Sequence, residues 1–189
     1  MFAKMTKTAI AAAMILAAAS AAAAAAPFKL TSPDIGPGKP FTDKFIFNGL
    51  GCAGANASPE LDWSNPPAGT QSFALMVHDP DAQTGGAGIW QWVVINIPAT
   101  AKSLPAGAGA PDGSGLPPGA KEVSADYGPM YGGPCPPPGA RAHRYNFTLY
   151  ALKVPTLEVP PGATASVTGF FINMNAIGQA KLTALYGRK

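Results

Sequence analysis

Tyr127-Gly128-Pro129-Met130-Tyr131-Gly132-Gly133-Pro134-Cys135-Pro136-Pro137-Pro138-Gly139, then after a short polar lead His143-Arg144-Tyr145-Asn146-Phe147-Thr148-Leu149-Tyr150-Ala151-Leu152, joins a stiff glycine-proline loop to a strand. Proline fixes φ and removes backbone donors, while glycine lets the main chain approach a neighbour closely. Strand side chains alternate between faces. His143 and Tyr145 therefore share a face with Phe147 and Leu149, and Arg144, Asn146, Thr148 and Tyr150 take the other. A histidine and a tyrosine at the end of an apolar row, beneath a rigid loop, form one wall of a small pocket.

Two further strands frame that wall. Gln71 to Asp79 places Phe73, Leu75, Val77 and Asp79 on one face and Ala74, Met76 and His78 on the other. Both faces are largely apolar, the pattern of a strand buried on two sides. Asp79 ends the inward row, and His78 is turned away from it. Ile89 to Ile97 is rich in Trp, Val and Ile, residues that favour strands. Strict alternation puts Trp90, Trp92, Val94 and Asn96 together and Gln91, Val93, Ile95 and Ile97 opposite. Gln91 is then a polar residue on an apolar row, and burial would oblige its amide to find partners.

Shorter strands are expected at Phe28 to Asp34, Lys44 to Asn48 and Glu60 to Trp63, each cut by proline or glycine. Ala99 to Glu122, broken by Pro105, Pro111, Pro117 and Pro118, is too long for an idle connection and reads as an ordered excursion over the surface. Near the end, Ser166 to Asn173 reads as a strand. Asn175 to Tyr186 reads as a helix, stopped at Gly187. Many short strands, frequent prolines and one C-terminal helix predict a mainly β fold, an antiparallel β-sandwich.

The first 25 residues have the pattern of a secretion signal: Lys4 and Lys7, an apolar core from Ala9 to Ala19, and an alanine run with several sites for cleavage. Its apolar core is shorter than the roughly 20 residues of a spanning helix, and no later stretch qualifies. The expected product is periplasmic or secreted, with a single domain over residues 26–189 and no transmembrane segment. Without Lys4 and Lys7, 11 basic side chains face 10 acidic ones. That near-neutral balance, with no basic stripe, argues against nucleic acid as a partner.

Cys52 and Cys135 are the only cysteines. In an oxidising compartment a pair points to a disulfide. Closing a loop of some 80 residues would contribute roughly 4 kcal/mol in the chain-entropy model. The sharper alternative, a metal site of Cys52, Cys135, His78 and His143, lacks zinc-ligand spacing. No Gly-x-Ser-x-Gly elbow or His-Glu-x-x-His motif is present. The reading is therefore of a protein without enzymatic activity, cofactor or metal.

Three blocks in order, Asp79-Pro80-Asp81-Ala82, Trp90 to Pro98, and Gly132 to Gly139 with His143-Arg144-Tyr145, resemble the phosphatidylethanolamine-binding protein family. The likeness is to its bacterial Raf-kinase-inhibitor-like branch, the YbhB/YbcL type, and runs through nearly all of the chain after the signal. It implies a pocket for a small anionic, phosphate-like or polar headgroup. Asp79, Gln91, Gly133, Pro134, His143 and Tyr145 are the implied ligand-binding residues, with Asp81 and Arg144 tying loops together behind them. Tyr145 and a protonated His143 can donate to an anionic oxygen, and Asp79 would orient His143.

The sequence departs from the family pattern twice. Gln91 stands where the pattern has histidine, and Gln83 follows Ala82 where it has proline. Glutamine keeps a donor but never carries charge, so anion affinity should fall or its specificity shift. The alternative function is a protein-protein inhibitor or interaction module with a weakened or vestigial pocket, its unidentified partner contacted through Ala99 to Glu122.

Overall fold

The computed structural model describes residues 26–189, so the signal read at residues 1–25 lies outside the described residues. Ten strands and one helix follow in order: β1 Lys29–Thr31, β2 Asn48–Gly49, β3 Cys52–Ala53, β4 Leu61–Ser64, β5 Ser72–Asp79, β6 Ile89–Pro98, β7 Ser103–Leu104, β8 Lys121–Glu122, β9 His143–Leu152, α1 Ala165–Asn175 and β10 Ala176–Tyr186. The main sheet has the order β10-β9-β5-β6-β8, a smaller sheet is β1-β4-β7, and β2 and β3 form a hairpin. All of these pairings are antiparallel, so the fold is mainly β as expected.

The main sheet is covered on both faces. On one, Phe73, Leu75, Val77, Phe147 and Leu149 pack with Leu30, Leu61, Trp63 and Leu104 of the smaller sheet. On the other, Ala74, Met76, Val93 and Ile95 pack with Leu157, Ala165 and Ile172 at the helix. β5 runs through the centre, and its whole apolar run from Phe73 to Val77 is buried, as its two-sided apolar pattern requires.

The C-terminal region corrects the sequence reading. Ser166 to Asn173, expected as a strand, lies within the helix Ala165–Asn175, and Asn175 to Tyr186, expected as the helix, is from Ala176 onward the edge strand β10. Thr164 caps the helix, its hydroxyl accepting from Val167 N at 3.3 Å. Gly169 lets the helix sit close on the sheet, since a Cβ there would lie 3.2 Å from Met76 Cε. In β10, Ala180, Leu182 and Ala184 are buried while Lys181, Thr183 and Leu185 are exposed. That is period 2, and pairing with β9 along Ala180↔Leu149, Leu182↔Phe147 and Ala184↔Tyr145 overrides the helix propensity of alanine and leucine.

A second correction falls at Lys44 to Asn48. Only Asn48 enters a strand. Phe45 O accepts from the Tyr131 hydroxyl, Ile46 O accepts from Asn56 N, and Phe47 N donates to Pro134 O. These backbone groups are satisfied by loop partners rather than by a ladder. The long excursion is ordered: it supplies β7 and β8, and Ser58 holds it through Gly107 N to its carbonyl and Gly109 N to its hydroxyl.

Candidate functional site

Asp79 closes β5 and His143 opens the neighbouring β9, so the sheet brings their side chains together. Asp79 Oδ2 accepts from His143 Nδ1 at 2.8 Å, and each side chain is only 4% exposed. Asp79 Oδ1 accepts from Asp81 N at 2.9 Å. The carboxylate thus fixes the imidazole with Nδ1 as donor and leaves Nε2 free for another partner.

Asp81 turns the other way. Its carboxylate accepts from Arg144 Nε and the Arg144 backbone N–H, and from Arg141, at 2.8–2.9 Å. The Arg144 hydrogen bonds hold its carboxyl well below the usual carboxylate range. It ties the loop after β5 to the start of β9 and keeps Asp79 aimed at His143.

Tyr145, two residues along β9, is buried with its ring edge-on to Phe41 at 5.5 Å. Its hydroxyl has no protein partner. Burial, and then the charge of Asp79, raise its pKa above the ordinary phenol value.

Gln91 reaches the same space through a backbone irregularity. Val77 pairs with Trp92 but His78 pairs with Trp90, which leaves Gln91 as the extra residue of a β-bulge. The bulge carries its side chain to the wall shared with Asp79, His143 and Tyr145. Gly132 N donates to Gln91 O at 2.8 Å, pinning the bulge to the proline loop. Gln91 is 2% exposed, yet its Oε1 has no hydrogen-bond partner.

These four side chains line a cavity of about 210 Å³. Pro136 and Pro137 give it an apolar wall, with Gln83 and Thr84 also in the lining. Tyr127 completes it, its ring 4.6 Å from that of Phe47. Its pKa is raised, first by burial and then by Asp79.

Gly133 and Pro134 stand apart from the expected set, because neither lines the cavity. Gly133 is pressed against the Phe45–Phe47 backbone, and its N–H donates to Asn56 Oδ1 at 2.8 Å. Pro134 O accepts from Phe47 N. They hold the loop; Pro136 and Pro137 face the space. Tyr127 and the two prolines lay in the stretch that marked the site, but a loop has no periodicity to reveal which of its residues turn inward.

The Cys52–Cys135 disulfide is formed and anchors the proline loop to β3. Cys135 itself lines the cavity. Among the described residues, no group of three or more His, Cys, Asp or Glu could hold a metal ion. A larger groove of about 490 Å³ between Gly36–Pro40 and Leu185 is open and mostly apolar. It lacks the buried, unpartnered polar atoms that mark the smaller cavity.

Residues 31–187 match the phosphatidylethanolamine-binding protein family model. The chain belongs to this family. It is similar to YbcL of Escherichia coli (strain K12), with 44% identity over 162 residues, 85% of this chain and 88% of YbcL. YbhB of the same organism is 41% identical over 162 residues, 84% of this chain and 99% of YbhB. The crystal structure of E. coli YbcL superimposes with a TM-score of 0.83, covering 87% of this chain and 100% of that one. Membership in the phosphatidylethanolamine-binding protein family agrees with the three sequence blocks that meet around the cavity.

Proposed function

We propose that this is an exported, single-domain, non-enzymatic binding protein that holds a small anionic or phosphate-like headgroup in the cavity of Asp79, Gln91, His143 and Tyr145. The observation that carries the reading is the set of buried polar groups left open there. The Tyr145 hydroxyl and Gln91 Oε1 have no protein partner, and His143 is oriented by Asp79 with one ring nitrogen to spare. Buried polar atoms are ordinarily satisfied, and two orphans on one cavity wall call for an occupant there, a ligand, an ion or ordered water. Binding rather than turnover is supported by the fate of the nucleophiles in the lining: Cys135 is in a disulfide, and the Thr84 hydroxyl is bonded to Gly88 O at 3.1 Å. The disulfide suits an oxidising compartment. Calorimetric titration with inorganic phosphate and phosphoethanolamine tests the proposal. Heat in the wild type that disappears in His143→Ala supports it; no heat with either ligand in the wild type overturns it.

A second reading, an interaction module acting through its surface, has one observation in its favour. Phe170 and Met174, on successive turns of α1, are 62% and 60% exposed. With Val167, 41% exposed one turn earlier, they put three apolar side chains on one face of the helix. A protein partner retained by His143→Ala and lost by Phe170→Glu would assign the function to this surface.

A further inference from the structure

Resting on the anion-binding reading of the cavity, we infer that Asn56, which lies outside that cavity, is the positioning residue that sets its Gln91 and Tyr127 walls. Asn56 lines no part of the cavity. Its side-chain amide spans two points of the glycine-proline loop: Nδ2 donates to Tyr131 O and Oδ1 accepts from Gly133 N, both at 2.8 Å. The partners fix the amide's orientation, since a carbonyl oxygen can only accept and a backbone N–H can only donate. Between those two points lies Gly132, whose N–H donates to Gln91 O at 2.8 Å. The Tyr127 ring presses on Gly132 so closely that a Cβ there would overlap it. Gln91 and Tyr127 both line the cavity. One amide thus fixes the residue on which two cavity walls bear.

Asn56 is itself held in place. Its N–H donates to Ile46 O at 2.9 Å, and its φ of 52° is a left-handed conformation that asparagine tolerates better than most side chains. Tyr131 N donates to Gly109 O at 3.0 Å, and Gly109 N donates in turn to Ser58 Oγ. The stretch from Asn56 to Ser58 therefore secures Tyr131 twice, at its C=O directly and at its N–H through Gly109. Tyr131, Gly132 and Gly133 are all buried. Without the amide, Tyr131 O and Gly133 N would be stranded away from water, and the loop would shift to find them partners. That shift draws Gly132 off Gln91 O, loosens the bulge of β6 and lets the Tyr127 ring follow. An aspartate could not replace the amide, because its second oxygen would face Tyr131 O with no proton to donate.

The test is Asn56→Gly, because glycine adopts the same φ without strain and only the side chain is removed. Two measurements are made on the full chain: phosphate affinity by calorimetry and amide hydrogen exchange by NMR. Exchange at Gly132 should quicken by about tenfold more than at the core amides of β5 and β9. Phosphate should bind at least roughly tenfold more weakly. Ile172→Ala, in the core on the helix side of the sheet, controls for general loosening and should leave affinity within about threefold of the wild type. Asn56→Asp, which keeps the acceptor for Gly133 N, serves if the glycine variant is not folded by circular dichroism. Exchange at Gly132 that changes only in step with the core amides overturns the inference. Unchanged affinity in the folded Asn56 variant, or an equal loss in Ile172→Ala, also overturns it. Absence of phosphate binding in the wild type overturns the anion-binding reading alone, and the exchange ratio then decides the role of Asn56.

Discussion

Asp79 Oδ2 and His143 Nδ1 lie 2.8 Å apart with both side chains sealed from solvent, although 64 residues separate them in sequence. Adjacent antiparallel strands make the contact, and the Asp81–Arg144 cluster holds it from outside. Removing one partner of a buried pair strands the other charge in a low-dielectric site. His143→Ala should therefore lower unfolding free energy by about 3 kcal/mol as well as abolish anion binding. Urea titration beside calorimetry separates the two effects. His143→Gln, which can still donate to Asp79, should recover much of the stability without restoring full affinity.

Asp81 makes a pH prediction. Its carboxyl is held below the ordinary value of 3.8 chiefly by hydrogen bonds from Arg144. A group with a depressed folded pKa contributes stability that is present above its unfolded pKa and lost as pH falls through the folded one. Asp81→Asn should therefore be less stable than the wild type at pH 7. The difference should shrink as pH drops below about 4. Thermal melts from pH 7 to pH 2 check this; a constant difference across that range would show that ionisation of Asp81 has no part in it.

Glu122 has the opposite sign. Burial pushes its carboxyl up to about 7, against the opposing hydrogen bond from Trp92 Nε1 at 2.7 Å. A raised folded pKa gives a contribution fully present below the unfolded value near 4.5 and lost as pH rises through 7. Because the carboxyl is half-buried and partly screened, the loss is on the order of 1 kcal/mol. Glu122→Gln keeps an acceptor for Trp92 and has no proton to lose. It should match the wild type near pH 4.5 and exceed it at pH 8.5, measured by the denaturation midpoint at each pH.

Gln91 and Ile97 show what strand alternation conveys and what it misses. The face of β5 bearing Phe73, Leu75, Val77 and Asp79, and the face of β9 bearing His143, Tyr145, Phe147 and Leu149, followed from period 2 because both strands run regularly to the site. In β6 the count slips twice, once at Gln91 and once near Asn96, whose φ is 60°. The first bulge moves Gln91 onto the cavity wall. The second turns Ile97 towards Phe73, while Val93 and Ile95 stay on the helix side. Neither bulge has a glycine to announce it. The exchanged identities of α1 and β10 have a different cause: alanine, leucine and isoleucine satisfy both periods, and only the partner strand β9 decides between them.

The Cys52–Cys135 bond closes a loop spanning 83 residues of sequence and ends in the cavity lining. Replacing both cysteines by serine should lower stability by about 4 kcal/mol. For a domain of this size that corresponds to a fall of about 10 °C in Tm. The same variant should bind phosphate more weakly, because Pro136 and Pro137 lose their tether to β3. Retained affinity in the reduced, still folded protein would show that the wall stands without the crosslink.

Gly132 and Gly133 are neighbours with different obligations. A Cβ at Gly132 would collide with side-chain atoms alone, those at the root of the half-buried Tyr127 ring, so relief needs the whole ring to change rotamer. A Cβ at Gly133 would strike Phe45 O and Phe47 N, backbone atoms beneath the loop that cannot move without unseating Pro134 and Asn56. Gly132→Ala should therefore fold with a modest loss of stability but a rearranged cavity wall, seen as weakened phosphate binding. Gly133→Ala should lose about 3 kcal/mol or more, since overpacking against fixed atoms leaves no inexpensive relaxation. Denaturant midpoints of the two variants, with phosphate titration of whichever folds, decide the matter. Equal destabilisation by both would mean that the Tyr127 ring is held as firmly as the backbone.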